Sequence, residues 1–289
     1  MINLIKAVDS NNELRIAITD TTQIVQTAHN IHNTSATASA ALGRTLTAVA
    51  LMGAWLKNEN DSLTISINGD GIAGRIIAVS NSKGDVKAYM NNPLADLPVK
   101  NSKLDVSGII GHNGTIEVSY DLGMRENYNG QSAIVSGEIA EDLAHYYFTS
   151  EQIRTAIALG VLVDTDLNIK SAGGFIIQLM PNASEETIVK LEEALKNIGS
   201  ISEVILKEKS LEKVLNQLFS EFEIQIVEER KIKYNCDCNR ERIESVLLSL
   251  GKEEIQSMID EDDGAEVICH FCNKKYNFNA DSLSKLINR

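Results

Sequence analysis

The chain has 289 residues, enough for one large domain and a small one, and its 43% hydrophobic and 23% charged content is ordinary for a globular protein. A formal net charge of −13 repels phosphate backbones and sets nucleic acid aside as a partner. The opening MINLIKAVDSNNELR meets Asp9 and Asn11 before a stretch of signal length can form, so no secretory signal is expected and the chain reads as cytosolic.

LRIAITD and QIVQTA read as short strands around a turn. TASAALGRTLTAVALMGAWL, Thr37 to Leu56, is about as long as a membrane span. It carries Arg44 and several Thr and Ser side chains, and no second such segment exists. A helix apolar on nearly all sides reads as a buried core helix, with no membrane partner. SLTISINGDG places Leu63, Ile65 and Ile67 at the alternate positions of a half-buried strand. GDGIAG, Gly69 to Gly74, matches a dinucleotide fingerprint letter for letter, but the RIIAVS behind it is a strand pattern and not the start of a helix. A hairpin turn is expected there instead. GRIIAVSNSKGDVKAYM reads as two strands around SKGD, and GTIEVSYDL as another.

GEIAEDLAHYYFTSEQIRTAIALGVLV reads as helical with a break near Thr149–Ser150; Glu138, Glu141 and Asp142 cluster in it, and Glu138 and Asp142, at i and i+4, read as a solvated helix face. SAGGFIIQLMP reads as a strand ended by Pro181. The mixture lacks regular βαβ repeats, so residues 1–180 are expected to be an α+β core domain of β-sheets with a buried helix. His29 and His32 can stand near one another, and His112 and His145 stand alone. No Ser or Cys nucleophile with a matching base can be assigned, and no enzyme is expected.

After Pro181 the pattern becomes helical. Ser184 can cap a helix carrying Ile188, Leu191, Leu195 and Ile198, with Glu185 and Glu186 in its first turn. Ser200 and Glu203 suggest a capping box, and Leu211, Val214, Leu215 and Leu218 lie on one face of a third helix. These helices are short and thinly apolar, so residues 181–231 are expected to form a marginal helical linker. From 232 to 289 a small module follows. Asn239 can cap a helix closed by Gly251, a second helix covers Glu253–Ile259, and DEDDG is a turn. EVIC and KKYNF read as hairpin arms around CHFC, and Asp281 as the cap of a last helix.

The four cysteines of the chain, Cys236, Cys238, Cys269 and Cys272, have the form C-x-C, 30 intervening residues, then C-x-x-C. Cytosolic thiols are kept reduced, so such clustering points to metal or redox chemistry. Two close pairs brought together by folding can supply the four thiolates that zinc takes in a tetrahedron. His270 lies between the second pair, but four sulfurs already complete the shell. A zinc-ribbon nucleic-acid binder would need a basic face, for which Lys274, Lys275 and Arg289 are few. A thiol–disulfide oxidoreductase would use Cys269 and Cys272 and leave Cys236 and Cys238 without a role.

The chain resembles the heat-shock protein 33 family of redox-regulated chaperones. The likeness lies in NGDGIAGRIIAVSNSKGDVKAYMNNPLADLP, VSGEIAEDLAHYYFTSEQIRTAIALGV, SAGGFIIQLMPNASEETI, and CDC and CHFC followed by Tyr276 and Phe278, all in order. Ile72 departs from the proline usual in that family's GDGP-type turn. The resemblance implies an ATP-independent holdase that captures unfolding client proteins, often as a homodimer once oxidised. It implies one zinc per chain on Cys236, Cys238, Cys269 and Cys272 in the inactive, reduced state. It also implies activation by oxidants through disulfides Cys236–Cys238 and Cys269–Cys272, with zinc release and unfolding of the module. Magnitudes agree with such a switch. Structural zinc contributes about 10–16 kcal/mol in small finger peptides, and a core of this size gives about 3–5 kcal/mol. In C-x-C the two Cα atoms lie up to about 7 Å apart when extended, whereas a disulfide needs roughly 4.4–6.8 Å. Closing Cys236–Cys238 therefore needs a bent backbone, and Cys269–Cys272 is expected to oxidise first.

Overall fold

The computed structural model describes residues 2–196 and 198–287; Arg289, counted above among the basic residues, lies outside them. The chain divides into two compact units, Met1–Asn235 and Cys236–Arg289.

The first unit opens with strands β1 (Leu4–Asp9) and β2 (Leu14–Asp20), then helices α1 (Thr22–His32) and α2 (Ala36–Gly53). QIVQTA, expected as a strand, is part of α1. Its β-branched Ile24 and Val25 suggested a strand, but they are buried together with Ala28, one turn on, which is a helical face. Asp20 Oδ1 starts the helix by accepting from the Thr22 amide and hydroxyl at 2.9 and 2.7 Å. Nearly every residue of α2 is buried. Thr45 and Thr47 donate to the carbonyls of Ala41 and Gly43 one turn back, and Arg44 pairs with Glu138. Among the described residues no helix is long and apolar enough to cross a membrane.

Strands β3 (Ser62–Gly69), β4 (Arg75–Asn81) and β5 (Asp85–Met90) form a meander, and helix α3 (Val106–Ile110) precedes β6 (Gly114–Asp121) and β7 (Tyr128–Ala133). GDGIAG is the hairpin turn between β3 and β4, with Asn68 opposite Arg75. Its glycines answer to close packing. A Cβ on Gly69 or Gly71 would sit 2.0 or 2.2 Å from the carbonyl oxygens of Ile110 or Ile109 at the end of α3.

Helix α4 (Ile139–Tyr146) runs into a π-helical turn, Tyr147–Glu151, and then into β8 (Thr155–Val163). The sequence suggested that the helix continued through RTAIALGVLV; the structure makes it a strand. Ile157, Leu159 and Val161 pack into one core and Ala156 and Ala158 into another, the period of two of a strand covered on both faces. An apolar run buried on both sides carries no periodic signal that separates strand from helix. Glu138 and Asp142 do not form a solvated face. Asp142 is buried and accepts from the amides of Val135 and Ser136 at 2.9 and 2.8 Å, fixing the approach to α4.

Strand β9 (Ile169–Leu179) is followed by helices α5 (Glu185–Lys196), α6 (Ile201–Glu208) and α7 (Leu211–Leu218), then strands β10 (Ile224–Arg230) and β11 (Lys233–Tyr234). The first unit thus holds an antiparallel sheet ordered β10-β1-β2-β9-β8 and a second sheet ordered β11-β5-β4-β3-β6-β7, in which β11 is parallel to β5. Helix α2 touches β2, β8 and β9 of one sheet and β3, β4 and β5 of the other, which makes it the centre of the core.

Helices α5–α7 cover the opposite face of the first sheet. Leu191, Ile201, Ile205, Leu211, Val214, Leu215 and Leu218 are buried with Ile5, Leu14, Ile16, Ile18, Phe175 and Ile177, and Phe175 meets Phe219 edge-on at 5.9 Å. The alternate residues Ala17 and Ile176 point to the α2 side. Ser184 caps α5 as the spacing suggests, and Ser210 caps α7. Ser200 makes no capping bond to α6; its hydroxyl pairs with that of Ser202 instead. The segment is not helical to its end, since β10 extends the first sheet as an edge strand.

Candidate metal centre

The second unit contains helices α8 (Arg240–Leu250) and α9 (Lys252–Asp262), the hairpin β12 (Gly264–Ile268) and β13 (Lys275–Asn279), and helix α10 (Ala280–Ile287). DEDDG is mostly the end of α9, which stops where Asp263 takes a left-handed conformation. The last helix is capped by Asn279, whose Oδ1 accepts from the Ser282 amide at 3.0 Å, rather than by Asp281.

Cys236 and Cys238 lie on the extended stretch before α8. Asn239 ends that stretch by accepting from the Arg242 amide at 2.8 Å, so the chain turns into helix right after the second sulfur. Cys269 and Cys272 lie in the turn between β12 and β13. The Cys269 carbonyl accepts from the amides of Cys272 and Asn273 at 3.3 and 2.8 Å, and the Cys269 amide donates to the Lys274 carbonyl at 3.0 Å. Asn273 takes the left-handed conformation that closes this turn.

All four cysteines are free thiols, and their sulfurs lie within 4.8 Å of one another. Across the half-sites, Cys236 Sγ is 3.7 Å from Cys269 Sγ, and Cys238 Sγ is 3.4 Å from Cys272 Sγ. A tetrahedron of sulfurs at about 2.3 Å from a central ion has edges of about 3.8 Å, so the donor set and its spacing fit a tetrahedral metal. Among the described residues no other group of His, Cys, Asp or Glu side chains is so arranged. His270 is exposed and stays outside the four, while His29 and His32 are satisfied within the first unit by Thr34, Ser39 and the Ala88 carbonyl.

The sulfurs sit at the edge of a small core of Ile243, Leu247, Ile255, Cys269, Tyr276, Phe278, Leu283 and Leu286. Burial pushes the thiols of Cys236 and Cys272 up from their ordinary value. Burial opposes ionisation of Cys238 as well, but hydrogen bonds from Tyr276 and from the neighbouring thiols outweigh it and lower that thiol to about 7. The Tyr276 hydroxyl donates to Cys238 Sγ at 3.1 Å, and this bond raises the phenol above its usual range. Sequence reasoning named Tyr276 only as part of a resemblance. Its contact with Cys238 was not legible there, although its alternation with Phe278 on β13 marks both as inward-facing.

The Hsp33 protein family model matches residues 3–279. The chain belongs to the Hsp33 family. A 33 kDa chaperonin of Thermoanaerobacter sp. (strain X514) is 45% identical over 98% of this chain and 97% of its own length. The corresponding protein of Clostridium botulinum (strain 657 / Type Ba4) is 47% identical over 98% and 96%. The crystal structure of the 33 kDa chaperonin, the heat shock protein 33 homolog, of Thermotoga maritima matches with a TM-score of 0.89 at 37% identity, covering 100% of this chain and 98% of that one. Hsp33 proteins are chaperones and not enzymes, and the α+β fold with its C-terminal cysteine cluster is the architecture of the family.

Proposed function

We propose that the protein is an ATP-independent holdase of the cytoplasm, switched on by oxidation of its four cysteines. The observation that carries this reading is the convergence of two cysteine pairs, far apart in sequence, at the edge of a core too small to hold the unit alone. Residues 232–289 are the switch, residues 181–231 the linker it controls, and unfolding proteins the partners; the oxidised protein acts as a homodimer.

Cys236, Cys238, Cys269 and Cys272 are the zinc ligands, one ion per chain. When bound, zinc holds the sulfurs as thiolates and ties the extended stretch before α8 to the β12–β13 turn. Oxidation of one pair by a peroxide transfers two electrons from two thiolates, with two protons taken up, to give one disulfide and two waters. The pairs are Cys236–Cys238 and Cys269–Cys272. A disulfide sulfur is a poor ligand, so each bond removes half of the donors and the half-sites part.

The unfolding then passes along the chain into its weakest pairings. β11 is a two-residue strand, and β10 is an edge strand whose register with β1 shifts between Lys6 and Ala7. Loss of these frees α5–α7 and uncovers Ile5, Leu14, Ile16, Ile18, Phe175 and Ile177, a continuous apolar face that can hold an unfolding chain. The net charge of −13 keeps the loaded complex dispersed.

A peroxide time course followed by mass spectrometry, with a chromophoric chelator reporting released zinc, tests the switch. One zinc released per chain together with disulfides inside the two pairs is expected, Cys269–Cys272 forming first. Bonds across the pairs, or oxidation with full retention of zinc, would contradict it. Tyr276→Phe removes the hydroxyl that steadies Cys238, and loss of such outer contacts weakens metal binding roughly 10–100-fold. Competition with the chelator checks this.

A further inference from the structure

We propose that Glu13 is the clasp that fastens the first linker helix to the sheet and thereby sets how readily the linker is released. This rests on the linker's role in the function proposed above. Glu13 ends the tight loop between β1 and β2. The buried Asp9 makes that loop rigid, accepting from the amides of Asn11, Glu13 and Leu14 at 3.2, 2.8 and 2.6 Å, with Asn12 in a left-handed conformation. The loop grips the chain where it leaves β9. The Glu13 carbonyl accepts from the Met180 amide at 2.8 Å, and the Glu13 carboxylate accepts from the Ser184 amide at 2.9 Å, the Ser184 hydroxyl at 3.2 Å and the Thr187 hydroxyl.

Three donors from the start of α5 thus converge on one carboxylate, placed where a helix leaves its first amides without partners and favours negative charge. The Thr187 hydroxyl bond holds the carboxyl below its ordinary range, so the clasp is charged at neutral pH. The apolar contacts of α5–α7 with the sheet hold the helices down but are non-directional and do not by themselves fix their register. The carboxylate is directional and fixes both register and attachment at the point where the linker begins. As the linker peels from its β10 end, α5 is the last helix held, and Glu13 is what holds it.

The test uses full-length, reduced, zinc-loaded protein and compares wild type with Glu13→Gln, Thr187→Val, the double variant, and Glu185→Gln as a control in the same helical turn. Amide hydrogen exchange over residues 187–191 reads the clasp, and the peroxide dose for half-maximal suppression of client aggregation reads the threshold. Each clasp variant is expected to raise exchange about tenfold, the size expected for a hydrogen bond to a charged group. The double variant adds little, the peroxide dose falls, and Glu185→Gln behaves as wild type. Unchanged exchange in both single variants, or raised exchange with an unchanged dose, would overturn the proposal. Exchange in the oxidised wild type separates it from the reading beneath: if α5–α7 stay protected there, linker release itself fails and the clasp with it. If they open there while the variants do not respond, only the role of Glu13 fails.

Discussion

A Cys269→Ser protein is expected to lose the folded second unit while the core around α2 keeps its structure. Cys269 is buried in the small core and its backbone organises the turn that carries Cys272, so it packs the core as well as serving as a ligand of the proposed zinc site. A serine hydroxyl is a poor zinc ligand, and three sulfurs cannot complete the tetrahedron. The free energy at stake is set by the metal, about 10–16 kcal/mol in small zinc peptides, against about 3–5 kcal/mol from a core of this size. Zinc content per chain, and hydrogen exchange resolved by unit, are the measurements. Zinc well below one per chain with rapid exchange across residues 240–287 is predicted; a metal-free second unit as protected as wild type would mean that the core suffices without the ion.

Leu215→Ala is expected to give chaperone activity to the reduced, zinc-loaded protein. Leu215 is fully buried between α7 and the sheet, and truncating such a leucine costs about 2–5 kcal/mol. An eight-residue helix has little stability of its own, so a loss of that size falls on the attachment of the linker. Leu46→Ala in α2 is the matched control: Leu46 is as completely buried, but in the core between the sheets. Both variants should melt at lower temperature, and only Leu215→Ala should suppress client aggregation without oxidant. Equal activity of the two would show that general destabilisation, and not linker release, makes the protein sticky.

Strands β3, β4, β5 and β6 of the second sheet, the buried helix α2 and the cysteine half-sites were legible because each carries a local signal, such as period two in Leu63, Ile65 and Ile67, an apolar run without faces, and thiols at ligand spacing; β7 and β11, polar or very short, carry none. Two segments were misread for one reason. QIVQTA and RTAIALGVLV are short apolar stretches whose partners lie far away in sequence, so only packing decides between helix and strand. The first lies on α2 and became a helix; the second pairs along β9 and became a strand. The roles of Glu13, Asp142 and Tyr276 were illegible for a related reason. Each acts through a hydrogen bond that exists only once separate elements meet, and nothing in the neighbouring residues announces it.

The central claim is that oxidation of the four cysteines turns a resting protein into a holdase. Light scattering from a client enzyme unfolding at elevated temperature tests it most directly, comparing reduced, zinc-loaded protein with protein treated with peroxide at elevated temperature. Suppression of aggregation by the oxidised form alone, with zinc released, is predicted. Equal failure of both forms with zinc retained throughout would contradict the account and leave the four cysteines a static structural site.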